Sequence, residues 1–191
     1  MSENLKREQI DEAAAKLADY IYRRTVCSKV TGRKALLLEG ELQLDAPLLD
    51  VLLENVGSEN AHPALVELAV VKGKKDTYVY WGPIMTQQYA KLDALLEDKD
   101  ILATIASVVR SDSKLYPRPT PVEKLKGYPF KFSEDEILGA AARMNMEEKY
   151  ADIGMISASN GTRALYSSRS LSKAYAEALY EASEVQDREN P

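Results

Sequence analysis

The sequence predicts an α+β fold built from two related helix, β-hairpin, helix halves arranged with pseudo-twofold symmetry. Three observations carry this. Residues 152–181 read as strand, Asn-Gly turn, strand and amphipathic helix, and residues 64–96 read in the same order. Setting Tyr80 on Tyr166 also sets Thr86 on Ser172, Tyr89 on Tyr175 and Ala90 on Ala176. At 191 residues the chain is expected to be one globular domain, its internal halves at about 1–114 and 122–185 joined by a proline-rich connector at 115–121.

In order, Leu5 to Arg24 predicts a first helix, with Ile10, Ala13, Ala14, Leu17, Tyr20 and Ile21 on one side. Ala35 to Leu44 reads as a strand turned near Gly40. Asp45 is an expected N-cap, Pro47 suits the first helical turn, and Leu48, Leu49, Leu52, Leu53 and Val56 form an apolar face ended by Gly57. Ala64 to Lys72, the turn Gly73 to Asp76, and Thr77 to Trp81 make the first hairpin. A helix carrying Met85, Tyr89, Leu92, Leu95 and Leu96 follows. Asp98 and Asp100 open another helix, with Ile101, Leu102, Ile105, Val108 and Val109 as its core face and an end near Asp112.

In Leu115-Tyr116-Pro117-Arg118-Pro119-Thr120-Pro121 the alternating prolines predict an extended, polyproline-like segment. Tyr128 to Phe132 reads as extended. Ser133 with Glu136 forms a capping box for a helix carrying Ile137, Ala140, Ala141 and Met144. Strands at about 152–158 and 162–167 flank Asn160-Gly161 as a tight hairpin, and Leu171, Ala174, Tyr175, Ala178, Leu179 and Ala182 recur at helical spacing. Polar residues 184–191 are expected to fray.

Composition narrows the chemistry. One cysteine, Cys27, supplies no intrachain disulfide and no cysteine-only metal or iron–sulfur site. One histidine, His62, disfavours histidine triads and multi-histidine metal sites, so no catalytic residue, metal or cofactor is assigned. The net charge of −5 argues against a generic nucleic-acid surface. No apolar run approaches the roughly 20 residues of a membrane span, and the mixed-charge N-terminus makes a cytoplasmic location the expectation.

Arg23, Arg24, Lys29, Arg33 and Lys34 form the most basic stretch, with no acid among them. It is a candidate surface for a protein partner, an anion or nucleic acid, against the plainer reading of a solvated loop. Ser168, Arg169 and Ser170, at an expected helix start, offer hydroxyls and a guanidinium to an anion, although helix capping explains the serines equally well. Cys27 sits among basic residues that favour a thiolate, which makes it a candidate redox thiol, whereas the burial preference of cysteine favours an inert one. His62 reads as an ordinary loop residue. Eleven tyrosines suit either a partner surface or a seam lined by Tyr80, Tyr89, Tyr166 and Tyr175.

On Leu115 to Pro121 and on the run from Tyr150-Ala151-Asp152-Ile153 through Ser159-Asn160-Gly161-Thr162 to Leu165-Tyr166-Ser167, the C-terminal half resembles YdhW-like bacterial proteins. These are uncharacterised proteins associated with iron–sulfur oxidoreductase systems. The resemblance implies an accessory role, transfers no functional residue, and leaves any cluster to a partner. The expected function is therefore a non-catalytic accessory or protein-interaction protein serving a redox enzyme system. The alternative is a nucleic-acid-binding regulator using residues 23–34, and an enzyme is the least supported class.

Overall fold

The computed structural model describes residues 2–186, so residues 187–191 of the tail expected to fray lie outside the described residues. The fold is α+β, with eight α-helices and two three-stranded antiparallel sheets among the described residues. The chain divides into two compact units, Met1–Lys99 and Asp100–Pro191.

In the first unit, α1 (Ser2–Val26) leads to β1 (Thr31–Gly32), α2 (Arg33–Leu38), α3 (Ala46–Glu54), a 3-10 turn at Pro63–Leu65, β2 (Leu68–Lys72), β3 (Thr77–Trp81) and α4 (Gln87–Glu97). The strand order is β1-β3-β2, which places the last strand in the centre. The register pairs Leu68 with Trp81 and Val70 with Val79 on one face, and Ala69 with Tyr80 and Val71 with Tyr78 on the other. The first face packs on Leu17, Ile21, Leu36, Leu49 and Leu52, and the second on Met85, Ala90 and Ala94. Helices therefore cover both faces of a small sheet.

The second unit runs through the same order: α5 (Ile101–Leu115), β4 (Thr120–Pro121), α6 (Val122–Lys126), α7 (Glu134–Met144), a 3-10 turn at Glu148–Tyr150, β5 (Ile153–Ser157), β6 (Arg163–Ser167) and α8 (Lys173–Glu181), closed by a π turn at Ala182–Gln186. The strand order is β4-β6-β5. Ile156, Ala164 and Tyr166 pack with Leu171, Ala176 and Tyr180 on the α8 side. Burial follows the same pattern along β2 and β5, with the first and fourth residues buried in each. A helix hydroxyl holds the end of each central strand: Trp81 N–H donates to Thr25 Oγ1 at 3.0 Å, and Ser167 N–H to Ser113 Oγ at 3.0 Å. Thr86 and Ser172 cap α4 and α8 by accepting from the Tyr89 and Tyr175 N–H groups.

Several expected caps form as the sequence predicts. Asp45 accepts from Leu48 N–H at 2.9 Å, Asp100 from Ala103 N–H at 3.1 Å, and Ser133 and Glu136 close a reciprocal capping box. Other expectations are corrected. Residues 35–44 are not a strand: Arg33–Leu38 is helical, because an Ala-Leu-Leu-Leu run without β-branched residues forms helix readily and its continuous apolarity carries no period. Tyr128 to Phe130 is a turn rather than an extended segment, closed by Lys131 N–H on the Gly127 carbonyl at 2.9 Å with Lys131 at φ 55. The first hairpin strand begins at Leu68, after a 3-10 turn. The second hairpin has a five-residue loop, closed by Ala158 N–H on the Thr162 carbonyl, in which Gly161 but not Asn160 takes a positive φ. Helix α5 continues past Asp112 to Leu115, and the proline-rich segment lies inside the second unit, where Thr120 and Pro121 pair with Leu165 and Ala164.

Thr31 and Thr120 occupy matching positions in β1 and β4, but their hydroxyls differ. Thr120 Oγ1 donates to Asp112 Oδ2 at 2.9 Å. The residue before Thr25 in α1 is Arg24, where Asp112 precedes Ser113 in α5, so the first unit has no carboxylate there. Thr31 Oγ1, on a residue only 2% exposed, has no hydrogen-bond partner among the described residues. Thr31→Val should therefore be neutral or stabilising in urea unfolding, while Thr120→Val should cost about 1–3 kcal/mol by leaving a buried carboxylate short of a donor.

Candidate functional site

The second unit carries a groove built around the proline-rich segment. Helix α5 ends at Leu115, and Tyr116 N–H closes its last turn on the Asp112 carbonyl at 3.0 Å. Pro117 and Pro119 then restrict the chain, which bends at Tyr116 and Arg118 before it enters β4. Asp112 pins this path: it is buried, it accepts from Thr120, and Lys124 Nζ donates to its two oxygens at 2.9 and 2.6 Å. Three elements meet on that carboxylate, which sets the groove wall opposite α8.

The groove has a volume of about 610 Å³ and is lined by Tyr116, Pro117, Arg118 and Lys124 on one side and by Tyr175 and Leu179 of α8 on the other. Tyr116 is 62% and Tyr175 53% exposed, and Leu115 is exposed beside them. The Arg118 guanidinium lies 5.2 Å from the centre of the Tyr116 ring, a cation–π distance. A neighbouring groove of about 570 Å³ shares Pro121, Lys124, Tyr180 and Glu184 and extends to Arg163 and the Asn160-Gly161 loop. Together they form one elongated trough. Sequence reasoning gave the tyrosines as residues suited to a partner surface, but that Tyr116 and Tyr175 line one groove needed the fold.

The family model for the YdhW C-terminal domain matches residues 99–188, which spans nearly all of the unit that carries the trough. The uncharacterized protein YdhW of Escherichia coli strain K12 is 31% identical over 180 residues, covering 94% of this chain and 82% of that protein. The chain belongs to the YdhW family. No solved structure matches it.

Within this YdhW-family chain, the basic stretch of the first unit is largely matched by acids. Arg23 pairs with Asp19 at 3.0 Å, and Arg33 grips Asp50 through Nε and Nη2 at 2.8 and 2.9 Å. Lys29 meets Asp93 at 3.1 Å and Glu97 at 3.2 Å. Burial works against its ammonium, but the two carboxylates outweigh it and raise the Lys29 pKa above its ordinary value. Lys34 Nζ donates to the Lys75 carbonyl at 2.8 Å, and Arg24 is exposed. Cys27 is exposed just after α1, with its N–H on the Arg23 carbonyl. His62 caps the Pro63–Leu65 turn by accepting from Ala64 N–H, and its other ring nitrogen lies 2.8 Å from Asp11.

Ser168, Arg169 and Ser170 precede α8 instead of opening it, since Ser172 is the cap. Arg169 lies 3.2 Å from Asp152, whose side chain is 8% exposed. Asp152 is a hub the sequence did not reveal. Arg110 donates to it through Nε at 2.9 Å and Nη2 at 2.5 Å, Ser167 Oγ–H donates at 2.7 Å, and Arg110 Nη2 also meets the Lys149 carbonyl at 2.7 Å. The hydrogen bonds of Arg110, ahead of the opposing effect of burial, lower the Asp152 pKa from 3.8 to about 2. This cluster joins α5, the 3-10 turn and the end of β6, so it acts as a clasp. Tyr80 and Tyr166 are buried in the clusters beside α4 and α8 of their own units, and Tyr175 is exposed.

Because the folded pKa is depressed, the Asp152 contribution is fully present above the unfolded value and is lost as pH falls through about 2. Urea unfolding from pH 5 down to pH 2 should show the wild type losing about 2 kcal/mol that Asp152→Asn does not lose. Asp152→Asn should already be the less stable protein at pH 7, because the half-buried Arg110 guanidinium then lacks its counter-charge.

Proposed function

We propose that this protein is a non-catalytic accessory protein that binds another protein through the tyrosine- and proline-lined trough of its second unit. The exposure of Tyr116 and Tyr175 around one groove carries the reading. Tyrosine and arginine are the residues that anchor protein interfaces, because they combine large contact area with a polar end. The redox enzyme system that such a partner would belong to is an expectation of the family resemblance. Nucleic-acid binding through residues 23–34 is the weaker reading, since Asp19, Asp50, Asp93 and Glu97 already answer most of that positive charge.

The identical element order of the two units supports a second part of the proposal, an internal duplication with the pseudo-twofold arrangement expected from it. An experimental structure in which residues 46–97 superpose on residues 134–182 is the expected outcome, and failure to superpose would remove it.

The binding reading is tested by placing a photo-crosslinking benzoylphenylalanine at Tyr116 or Tyr175 in cells that make the full chain. Both positions should give one reproducible crosslinked protein that the same group at exposed Leu38 of the first unit does not. Crosslinking at the trough no stronger than at Leu38 would end the proposal.

A further inference from the structure

We infer that the trough takes an extended segment of a partner protein, with acidic residues meeting Lys114 and Arg118 and one aromatic or large apolar side chain seated between Tyr116 and Tyr175. The inference rests on the protein-binding reading and adds the chemistry of what is bound.

The charge pattern selects an acidic segment. Arg118 lines the trough, and Lys114, in the last turn of α5, is exposed four residues earlier. Arg118 has the Tyr116 ring as its contact, and neither cation meets a carboxylate among the described residues. The acids of the trough are already engaged. Asp112 holds Lys124 and Thr120, Glu123 holds Lys126 at 2.7 Å, Glu134 lies 3.8 Å from both Lys126 and Arg163, and Glu184 has a partner of its own. At the Tyr116 end Arg118 therefore presents a positive charge with no carboxylate against it among the described residues, in a chain whose net charge is −5. Complementary potentials favour an acidic partner there.

Shape and surface select an extended segment with an anchor. The trough continues from the Tyr116 groove into the neighbouring one along β4 and α6, which is longer than a compact ligand requires. Pro117 and Pro119 lack N–H groups, so the edge they share offers no donors for strand pairing and recognition there falls to side chains. Tyr116, Tyr175 and Leu179 supply an apolar seat that a single ring or leucine would cover. A nucleic-acid strand fits less well, since it would place a phosphate at every nucleotide, while the Lys124 and Arg163 cations along the trough already face Asp112 and Glu134.

The test is a titration of the full 15N-labelled chain with three probes: a proline-containing Glu/Asp peptide with one tryptophan, the same peptide with lysine at every acidic position, and oligothymidylate. The acidic peptide should shift the amide resonances of Tyr116, Arg118 and Tyr175, and its affinity should fall with added salt. Reversing both cations, Lys114→Glu with Arg118→Glu, should weaken it about tenfold or more and improve the lysine peptide, with unchanged circular dichroism. The inference is overturned if the acidic peptide leaves these resonances unmoved at millimolar concentration, or if the lysine peptide or oligothymidylate binds the trough as well as it does. Sequencing the peptide crosslinked at Tyr175 separates the two proposals. A captured partner joined through a non-acidic segment would sink this inference alone, and no capture above the Leu38 control would sink the protein-binding reading as well.

Discussion

Buried carboxylates hold the irregular connections of both units, and the sheets depend on them. A three-stranded sheet whose first strand is two residues long has few ladder hydrogen bonds, so the segments around it need other partners. In the first unit Asp93 accepts from Val30 N–H at 2.8 Å and fixes the approach to β1. Asp98 accepts from the Tyr78 hydroxyl at 2.6 Å and from the Lys74 and Lys75 N–H groups, fixing the turn between β2 and β3. Burial, reinforced by that hydrogen bond, drives the Tyr78 phenol pKa up. In the second unit Asp112 and Asp152 do the same for β4 and for the end of β6. A buried carboxylate is costly to desolvate, and it is tolerated here because several donors converge on each one.

This division of labour explains where the two units differ at the surface. The first unit uses its acids to answer the basic residues that follow α1, which turns a positive stretch of sequence into a set of internal and rim ion pairs. In the second unit the corresponding connection contains Pro117 and Pro119, which give no N–H to the fold, and Asp112 secures it from below through Thr120 and Lys124. Its apolar and cationic side chains are left facing outward. Tyr175, whose counterpart Tyr89 is half-buried, follows the same trend.

Sequence patterning revealed much of the fold and little of the site. The caps at Asp45, Asp100 and Ser133 were legible because a cap is a local exchange between a side chain and N–H groups two or three residues away. The two hairpins and the shared order of elements were legible from turn residues and apolar spacing. The broken alternation of residues 152–158 has its cause in helices on both faces of the sheet, which removes the polar side of the pattern. The run at 35–44 misled for a related reason, since uninterrupted apolarity fits helix and strand alike.

By itself the sequence determined the α+β class, the doubled order of helix, hairpin and helix, and the helix starts at Asp45, Asp100 and Ser133. Only the tertiary structure decided that the chain divides after Lys99, that the proline-rich segment is the wall of a groove, that Asp152 gathers Arg110 and Ser167, and that Tyr116 and Tyr175 face one trough. The reason is range. Caps, turns and periodic faces are written in neighbouring residues, whereas a carboxylate and its guanidinium 42 positions apart meet only through the packing of everything between them.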